Sequence, residues 1–482
     1  MEPVKKPHRR TIQPSVVVTV VLCVVCLGIG ILIPVQAQKK QSSEMEKLES
    51  VYNILKDNWY YADKEEEGSL PVESRLLEQA IEGMTSLEED PHTNYMDLET
   101  AKAFSDSLAG SSVGIGVSYF INEDGYMQVQ DVYVNGAAEK TGIQAGDVIT
   151  RVGQQDIRNM PAEDIVQIIR NYEGQKMPLE VVHDGETESL TVEPGHFDTT
   201  VICSVQDDTG IITLSSFSEE SGKEFEEAVS RLKKAGIRHL VLDLRNNTGG
   251  YLTAARSVAG SLLPEGSVIF KEQKKDGTVA EIQVDPESEP VDFDKIVVLQ
   301  NGNTASASEV LIGALKDNLD NVTTVGTTTY GKGTEQVSVP FADGTSLKYT
   351  MAQWLTPDGT SINGKGFVPD VEVQLPAERR TSYRTMEDGE VIQMDTVSDN
   401  GAAIQVFLQY LGYPVSRTDT YLSPDTAEAV MAFQADEGLD VTGTVDKETF
   451  ERLCQRVSAQ ISARQKEEDT QLAAALAEVD HE

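Results

Sequence analysis

Positive charge is scarce in this chain of 482 residues: Lys and Arg number 40 against 79 Asp and Glu, a formal charge of −39 at pH 7. A nucleic-acid binder needs a basic face to displace counterions, so no nucleic-acid partner is expected. Cysteine is scarcer still. Four cysteines in this length cannot frame a disulfide-held mini-domain. Cys23 and Cys26 fall within an uncharged apolar stretch, and Cys203 and Cys454 lie far apart in sequence. Histidine is rare too, with six in all, of which His8 and His481 sit in the flanking tails. None of the other four stands in a G-x-S-x-G or zinc-ligand setting, so nothing points to a Ser-His-Asp triad, and neither metal nor cofactor is expected. What the chain does have is 39% hydrophobic residues, enough for ordinary cores, and a length that predicts roughly three domains.

The longest uncharged run is Ser15 to Ala37. As a helix it would span about 34 Å, sufficient to cross the hydrocarbon core of a bilayer. Lys5, Lys6, Arg9 and Arg10 precede it, and positive charge is retained inside. The expectation is a cytoplasmic tail over 1–14 and a signal-anchor over 15–37. The protein would then be a single-pass one of the cell membrane, with its bulk extracytoplasmic. A cleaved signal peptide ending at Val35-Gln36-Ala37 is the alternative, but the run exceeds the usual apolar length of about 7–15 residues. The acid excess falls after this segment. It favours solubility and disfavours attraction to anionic lipid.

Downstream, the pattern changes four times. Residues 41–106 read as helical, with Leu48, Val51, Tyr52 and Leu55 spaced along one helix face. Residues 108–196 are β-rich, with one short helix that starts at Pro161 and carries Ile165, Ile168 and Ile169. Residues 200–378 alternate strand and helix: Ile211–Leu214, Glu219–Ala235, Leu240–Leu244, a helix near Leu252–Leu263, Ile296–Leu299, Ala307–Lys316 and Val322–Val325. Such alternation predicts an α/β core with parallel strands. After a polar stretch around 377–400, residues 401–456 form a compact helical unit with Ser423-Pro424 at a helix start. The tail, 460–482, is charged and expected to be solvated.

The chemistry concentrates in two short motifs. Asn301 to Glu309 reads Asn-Gly-Asn-Thr-Ala-Ser-Ala-Ser-Glu between a strand and a helix. A serine there sits at a helix N-terminus, where unpaired N–H groups favour developing negative charge. Taken alone, Ser306 or Ser308 reads better as an N-cap, with Glu309 completing a capping box. A nucleophilic serine needs a base, and Lys332, in Tyr330-Gly331-Lys332-Gly333-Thr334-Glu335-Gln336, could serve if burial lowers its pKa. Gly326 to Lys332 also fits G-x-x-x-x-G-K, but Gly333 stands where a P-loop needs Ser or Thr, and a strand-like run follows.

Together, Thr304-Ala305-Ser306-Ala307-Ser308-Glu309 and Gly331-Lys332-Gly333-Thr334-x-Gln336 resemble the carboxy-terminal processing (tail-specific) serine proteases. Leu242-Asp243-Leu244-Arg245-Asn246-Asn247-Thr248-Gly249-Gly250, Leu355-Thr356-Pro357-Asp358-Gly359 and Gly364-Lys365-Gly366-Phe367-Val368-Pro369-Asp370 extend the likeness over about 45–375. The resemblance implies a multidomain α+β protein. Its parts are a membrane helix, a helical segment, a PDZ domain at 108–196, a crotonase-like or ClpP-like α/β protease core at 200–378, and a C-terminal three-helix module. It assigns Ser306 as nucleophile, Lys332 as base and Gln336 as the residue orienting the lysine. The oxyanion hole falls to the N–H groups of Ala307 and Gly249, with Gly250 the alternative. In the PDZ domain, Gly114-Ile115-Gly116-Val117 would cradle a peptide's terminal carboxylate, with Ile165 and Ile169 beneath the added strand and Arg170 linking occupancy to the active site.

Residues 401–456 resemble a peptidoglycan-binding three-helix module through Gln405, Leu411-Gly412-Tyr413, Phe433-Gln434 and Thr442-Gly443, which are mostly core and turn positions. Peptidoglycan is thus one expected partner, and packing against a protein the other; a homodimer stays open. The leading expectation is a membrane-anchored Ser-Lys endopeptidase that captures polypeptide C-termini. The competing class is a catalytically silent scaffold, which would not need Ser306, Lys332 and Gln336 all intact.

Overall fold

The computed structural model describes residues 44–61, 71–109, 111–122, 124–198, 200–464 and 468–480. The expected cytoplasmic tail and signal-anchor, 1–37, lie outside the described residues. Among those described, no helix is long and apolar enough to cross a membrane. The chain divides into two units between Tyr95 and Met96.

The first unit carries helices over 44–58 and Val72–Thr85. The helical reading holds there, but the predicted buried face does not. Leu48 and Val51 remain exposed and the Val72–Thr85 helix has no buried residue. Apolar spacing marks which face could be covered; covering it takes a partner surface.

Among the described residues, the second unit contains four buried apolar clusters. The β-rich part builds an antiparallel sheet from Val117–Ile121, Met127–Val132, Val148–Val152, Met177–His183 and Glu186–Val192, in that order. The Ala162–Arg170 helix closes it, and Ile115, Met127, Ile149, Ile165 and Met177 fill its interior. A short ladder of Ser111–Gly114 on Gly195–Asp198 joins the two ends of this domain.

The α/β part has the expected parallel sheet. Thr209–Leu214, His239–Asp243, Lys295–Gln300, Val322–Gly326 and Val371–Glu372 run parallel, with Val201–Gln206 antiparallel at one edge. Strands covered on both faces read as unbroken apolar runs, and Leu240–Leu242 and Ile296–Leu299 are buried throughout. The helices Ser221–Lys234, Leu252–Gly260 and Ala307–Asn318 cover one face. An antiparallel cap of Val268–Lys274, Val279–Gln283, Thr334–Pro340 and Ser346–Leu355 lies beside it. Only the alternation after Gln336 signalled that cap in the sequence. The strand at Thr334–Pro340 also removes the P-loop reading, which needs a helix there.

Two expectations about the C-terminus need correction. Residues 384–400 belong to the helical module instead of linking to it. Met386 and Ile392 are buried with Ile404, Phe407, Phe433 and Phe450, and Val391–Ile392 pairs with Val445–Asp446. The helices of that module are Gly401–Tyr410, Pro424–Asp436 and Lys447–Ala463. The tail, in turn, is not solvated. A helix over Thr470–Val479 lays Ala475 and Val479 against Val241, Val297, Leu299 and Val325, on the sheet face opposite the other helices. The charges around it drew the reading toward solvent, whereas Leu472, Ala475, Leu476 and Val479 recur at the spacing of a buried stripe.

Candidate active site

Ser306 ends the loop that follows the Lys295–Gln300 strand and is the N-cap of the Ala307–Asn318 helix. Its φ of 58° and ψ of −118° are costly for a residue with a side chain, and strain of this kind gathers at functional turns. The strain is held by several bonds. Thr304 Oγ1 donates to the Leu244 carbonyl at 2.8 Å, Ala305 N–H to the Asn247 carbonyl at 3.0 Å, and Ser308 Oγ to the same carbonyl at 3.0 Å. Gly249, at φ 101°, passes so close that a Cβ there would stand 2.8 Å from the Ser306 Cβ. Only glycine fits that approach.

Glu309 does more than complete a cap. Its carboxylate is fully buried and accepts four hydrogen bonds. Oε2 takes the N–H of Ser306 at 2.9 Å and of Lys332 at 2.9 Å. Oε1 takes the N–H of Gly331 at 2.7 Å and the hydroxyl of Thr329 at 2.6 Å. One side chain thereby ties the serine loop to the lysine loop. Sequence reasoning found Glu309 only as a capping residue. The available signal was a carboxylate in the first turn of a helix whose next six residues, Val310–Leu315, are all buried.

Lys332 is fixed from its other side as well. Its carbonyl accepts from Trp354 Nε1 at 2.9 Å, and the Gly333 N–H donates to Asn363 Oδ1 at 3.0 Å. Gly331, at φ 86°, brings the backbone within a Cβ's width of the Gly366 and Lys365 nitrogens. Burial holds the Lys332 ammonium below the ordinary lysine range, the positive charge of Lys348 adds to this, and Glu309 opposes it. A lysine so placed loses its proton more readily than one in water.

The structure thus brings the Ser306 and Lys332 backbones together on one carboxylate. Among the described residues, no hydrogen bond joins Ser306 Oγ to Lys332 Nζ. Gln336 donates its amide nitrogen to Thr334 Oγ1 at 2.9 Å and Thr350 Oγ1 at 3.1 Å instead of meeting the lysine. Of the oxyanion candidates, Ala307 sits at the first helical position, where N–H groups lack helical partners. The Gly249 N–H is occupied by Asn247 Oδ1 at 2.9 Å, so a second donor has to come from Gly250 or from release of that bond.

The peptide-binding candidates divide. Ile115 and Gly116 are buried, with their carbonyls accepting from Ala138 and Tyr133, and Gly114 and Val117 are half-buried on either side. Ile165 and Ile169 are core residues, 0% and 5% exposed, while Ile168 is the half-buried one. The Ala162–Arg170 helix turns Ile165 and Ile169 onto the sheet, so they fill the core of the domain instead of an open groove. Arg170 is exposed and makes no ion pair among the described residues. Groups of acidic, His and Cys side chains able to hold a metal are also absent among the described residues.

Four family models match the chain. They are peptidase family S41 at 208–373, a PDZ domain at 105–182, "Putative peptidoglycan binding domain" at 398–453, and "Activating protease CtpB N-terminal domain" at 33–100. A "Probable CtpA-like serine protease" of Staphylococcus saprophyticus is 32% identical over 434 residues, covering 90% of this chain and 85% of that one. A protein of the same description from Staphylococcus aureus is 33% identical over 413 residues, covering 85% and 81%. Among solved structures, a photosystem II D1 C-terminal processing protease aligns with TM-score 0.40 and 26% identity, over 68% of this chain and 92% of that one. By the extent and identity of its relatives, the chain belongs to the S41 C-terminal processing peptidases and is a serine-type peptidase.

Proposed function

We propose that Ser306 and Lys332 form the catalytic dyad of an endopeptidase acting on exported polypeptides with accessible C-termini. The observation that carries this reading is the shared carboxylate. Glu309 holds the backbone N–H of both residues, at 2.9 Å each, on one oxygen. In the reaction, neutral Lys332 takes the Ser306 hydroxyl proton as Oγ attacks the peptide carbonyl, then gives it to the leaving amine. Water activated by the same lysine releases the acyl group. The N–H of Ala307, with that of Gly249 or Gly250, faces the developing oxyanion. Gln336 orients Lys332 through its Oε1, which has no hydrogen bond among the described residues.

The PDZ domain captures the substrate's terminal carboxylate on the Gly114–Val117 loop and gates cleavage, with Arg170 carrying the signal. A segment over 15–37 anchors the chain so that the remainder works outside the cytoplasm, and the 401–456 module holds it near peptidoglycan. Ser306→Ala and Lys332→Ala should each abolish cleavage of a peptide with a free C-terminus, and C-terminal amidation should weaken binding of that peptide. Undiminished proteolysis in either variant refutes the dyad, and equal affinity for the amide refutes carboxylate capture.

A further inference from the structure

Asp469 follows Arg245 by 224 positions, beyond the whole three-helix module, yet the two meet in a part-buried ion pair. We propose that Asp469 is a positioning residue for the peptidase reaction. By holding Arg245 it fixes the 244–250 turn on which the nucleophile loop rests, so the segment after the module is a working part of the catalytic domain. The proposal rests on the assignment of Ser306 as nucleophile.

The contact is a built one. Asp469 is 4% exposed. Arg245 Nη1 donates to its Oδ1 at 2.8 Å and Nη2 lies 2.8 Å from its Oδ2. The other edge of the same guanidinium grips Asp243, with Nε at 2.9 Å from Oδ1 and Nη2 at 2.6 Å from Oδ2. A planar fork of five donors suits two carboxylates on two edges, an arrangement lysine could not make. Burial pushes the Asp469 carboxyl upward, but Arg245 and the Leu472 N–H outweigh it and keep it below the usual range.

Its placement is set by the tail helix. Asp469 caps that helix through the Leu472 N–H at 2.9 Å, and Gln471 donates to the Val373 carbonyl at 2.7 Å. Ala475 and Val479 then seat the helix on the parallel sheet. The chain needs only two more residues to carry this restraint from Arg245 to the site. Asn246 N–H donates to Asn301 Oδ1 at 3.0 Å, and its own Oδ1 accepts from Asn301 and Asn303. Asn247 Nδ2 donates to the Leu214 carbonyl at 2.7 Å, and its backbone carbonyl accepts from Ala305 and Ser308, the residues on either side of Ser306–Ala307. A displaced Arg245 would shift the turn that supplies these acceptors. The serine would keep its neighbours and lose its aim.

The test uses the full chain. Asp469→Asn keeps the cap acceptor and removes the charge; Asp469→Ser also caps and gives a second reading should the first variant not fold. Val229→Ala serves as control, because Val229 is buried in the Ser221–Lys234 helix and its truncation loosens the same core without touching Arg245 or the tail helix. In the Asp469 variants, kcat on a peptide with a free C-terminus should fall roughly tenfold or more with KM within about twofold, the pattern of a lost transition-state interaction. Labelling of Ser306 by a fluorophosphonate should slow by the same factor. In Val229→Ala the thermal midpoint should fall while kcat stays within about twofold of the parent. A parent-like kcat in both Asp469 variants overturns the proposal, as does a loss that Val229→Ala reproduces at an equal fall in midpoint. Ser306→Ala run alongside separates the two ideas: activity remaining there sinks the nucleophile assignment, whereas an inert Ser306→Ala beside a fully active Asp469→Asn sinks only the positioning role.

Discussion

Replacing Glu309 by Gln puts the shared carboxylate to its most direct trial. The side chain is buried and its shape hardly changes, but one oxygen becomes an NH2 group. That group would face two donors whichever way the amide turns, either Ser306 and Lys332 N–H or Gly331 N–H and Thr329 hydroxyl. The hydroxyl can rotate and the backbone N–H groups cannot, so the amide nitrogen should settle beside Thr329 and Gly331. Between one and two buried donors then lose their acceptor, at a cost of about 1–3 kcal/mol each, for a total of about 1–6 kcal/mol. The loss is local, and amide hydrogen exchange reads it locally. Opening of the 328–334 segment should become more frequent by a factor of about 5 at the low end and over 1,000-fold at the high end. Exchange in the distant three-helix module should not change. Cleavage should fall with the opening, because Lys332 shares the segment. Parent-like exchange over 328–334 would refute the claim that this carboxylate holds the two loops together.

Other outcomes follow from the same charges and contacts. As the proposed base, Lys332 would work only when neutral, so activity should rise as pH climbs through its depressed pKa. Lys348→Ala removes a charge that helps depress it, raises that pKa and should move the acidic limb of kcat/KM to higher pH; a shift to lower pH would contradict the reading. Glu224 is buried against Thr200, and burial raises its carboxyl to about 7 from an ordinary 4.5. Its folded pKa lies above the unfolded one, so stability falls as pH rises between those values, by about 3 kcal/mol in all. Glu224→Gln should flatten that fall in urea unfolding of the α/β core between pH 5 and 8, and an unchanged slope would exclude Glu224 as its source.

The catalytic candidates were legible because their signals are local. A serine between a strand and a helix and a lysine between two glycines can be picked out within ten residues, and the resemblance then joined them. The parallel sheet was legible for a similar reason, since Leu240–Leu242 and Ile296–Leu299 are continuous apolar runs of strand length. The isoleucines of the Ala162–Arg170 helix show the limit of periodicity. It marked Ile165, Ile168 and Ile169 as one stripe but could not say which of them the sheet would cover. The antiparallel cap was harder again, because Val268–Lys274 and Val279–Gln283 carry Lys, Glu and Gln on faces that a central strand would fill with apolar side chains.

The contacts that sequence could not supply are those in which one residue serves two distant segments. Glu309 satisfies an N-cap three residues away and also closes a bond to Lys332 at a separation of 23. The first role is complete in itself, so nothing local asks for the second. Arg245 has the same character: Asp243 already neutralises it two residues away, and the further carboxylate of Asp469 comes from the far end of the chain. In both cases the local partner fixes one edge of a multivalent group and leaves the other edge aimed across the fold. A buried Glu with four acceptor sites, or an Arg with five donors, is therefore poorly described by its nearest partner. Where such a residue lies within a few positions of a candidate nucleophile, its unassigned edge is the place to look for what holds the site in register.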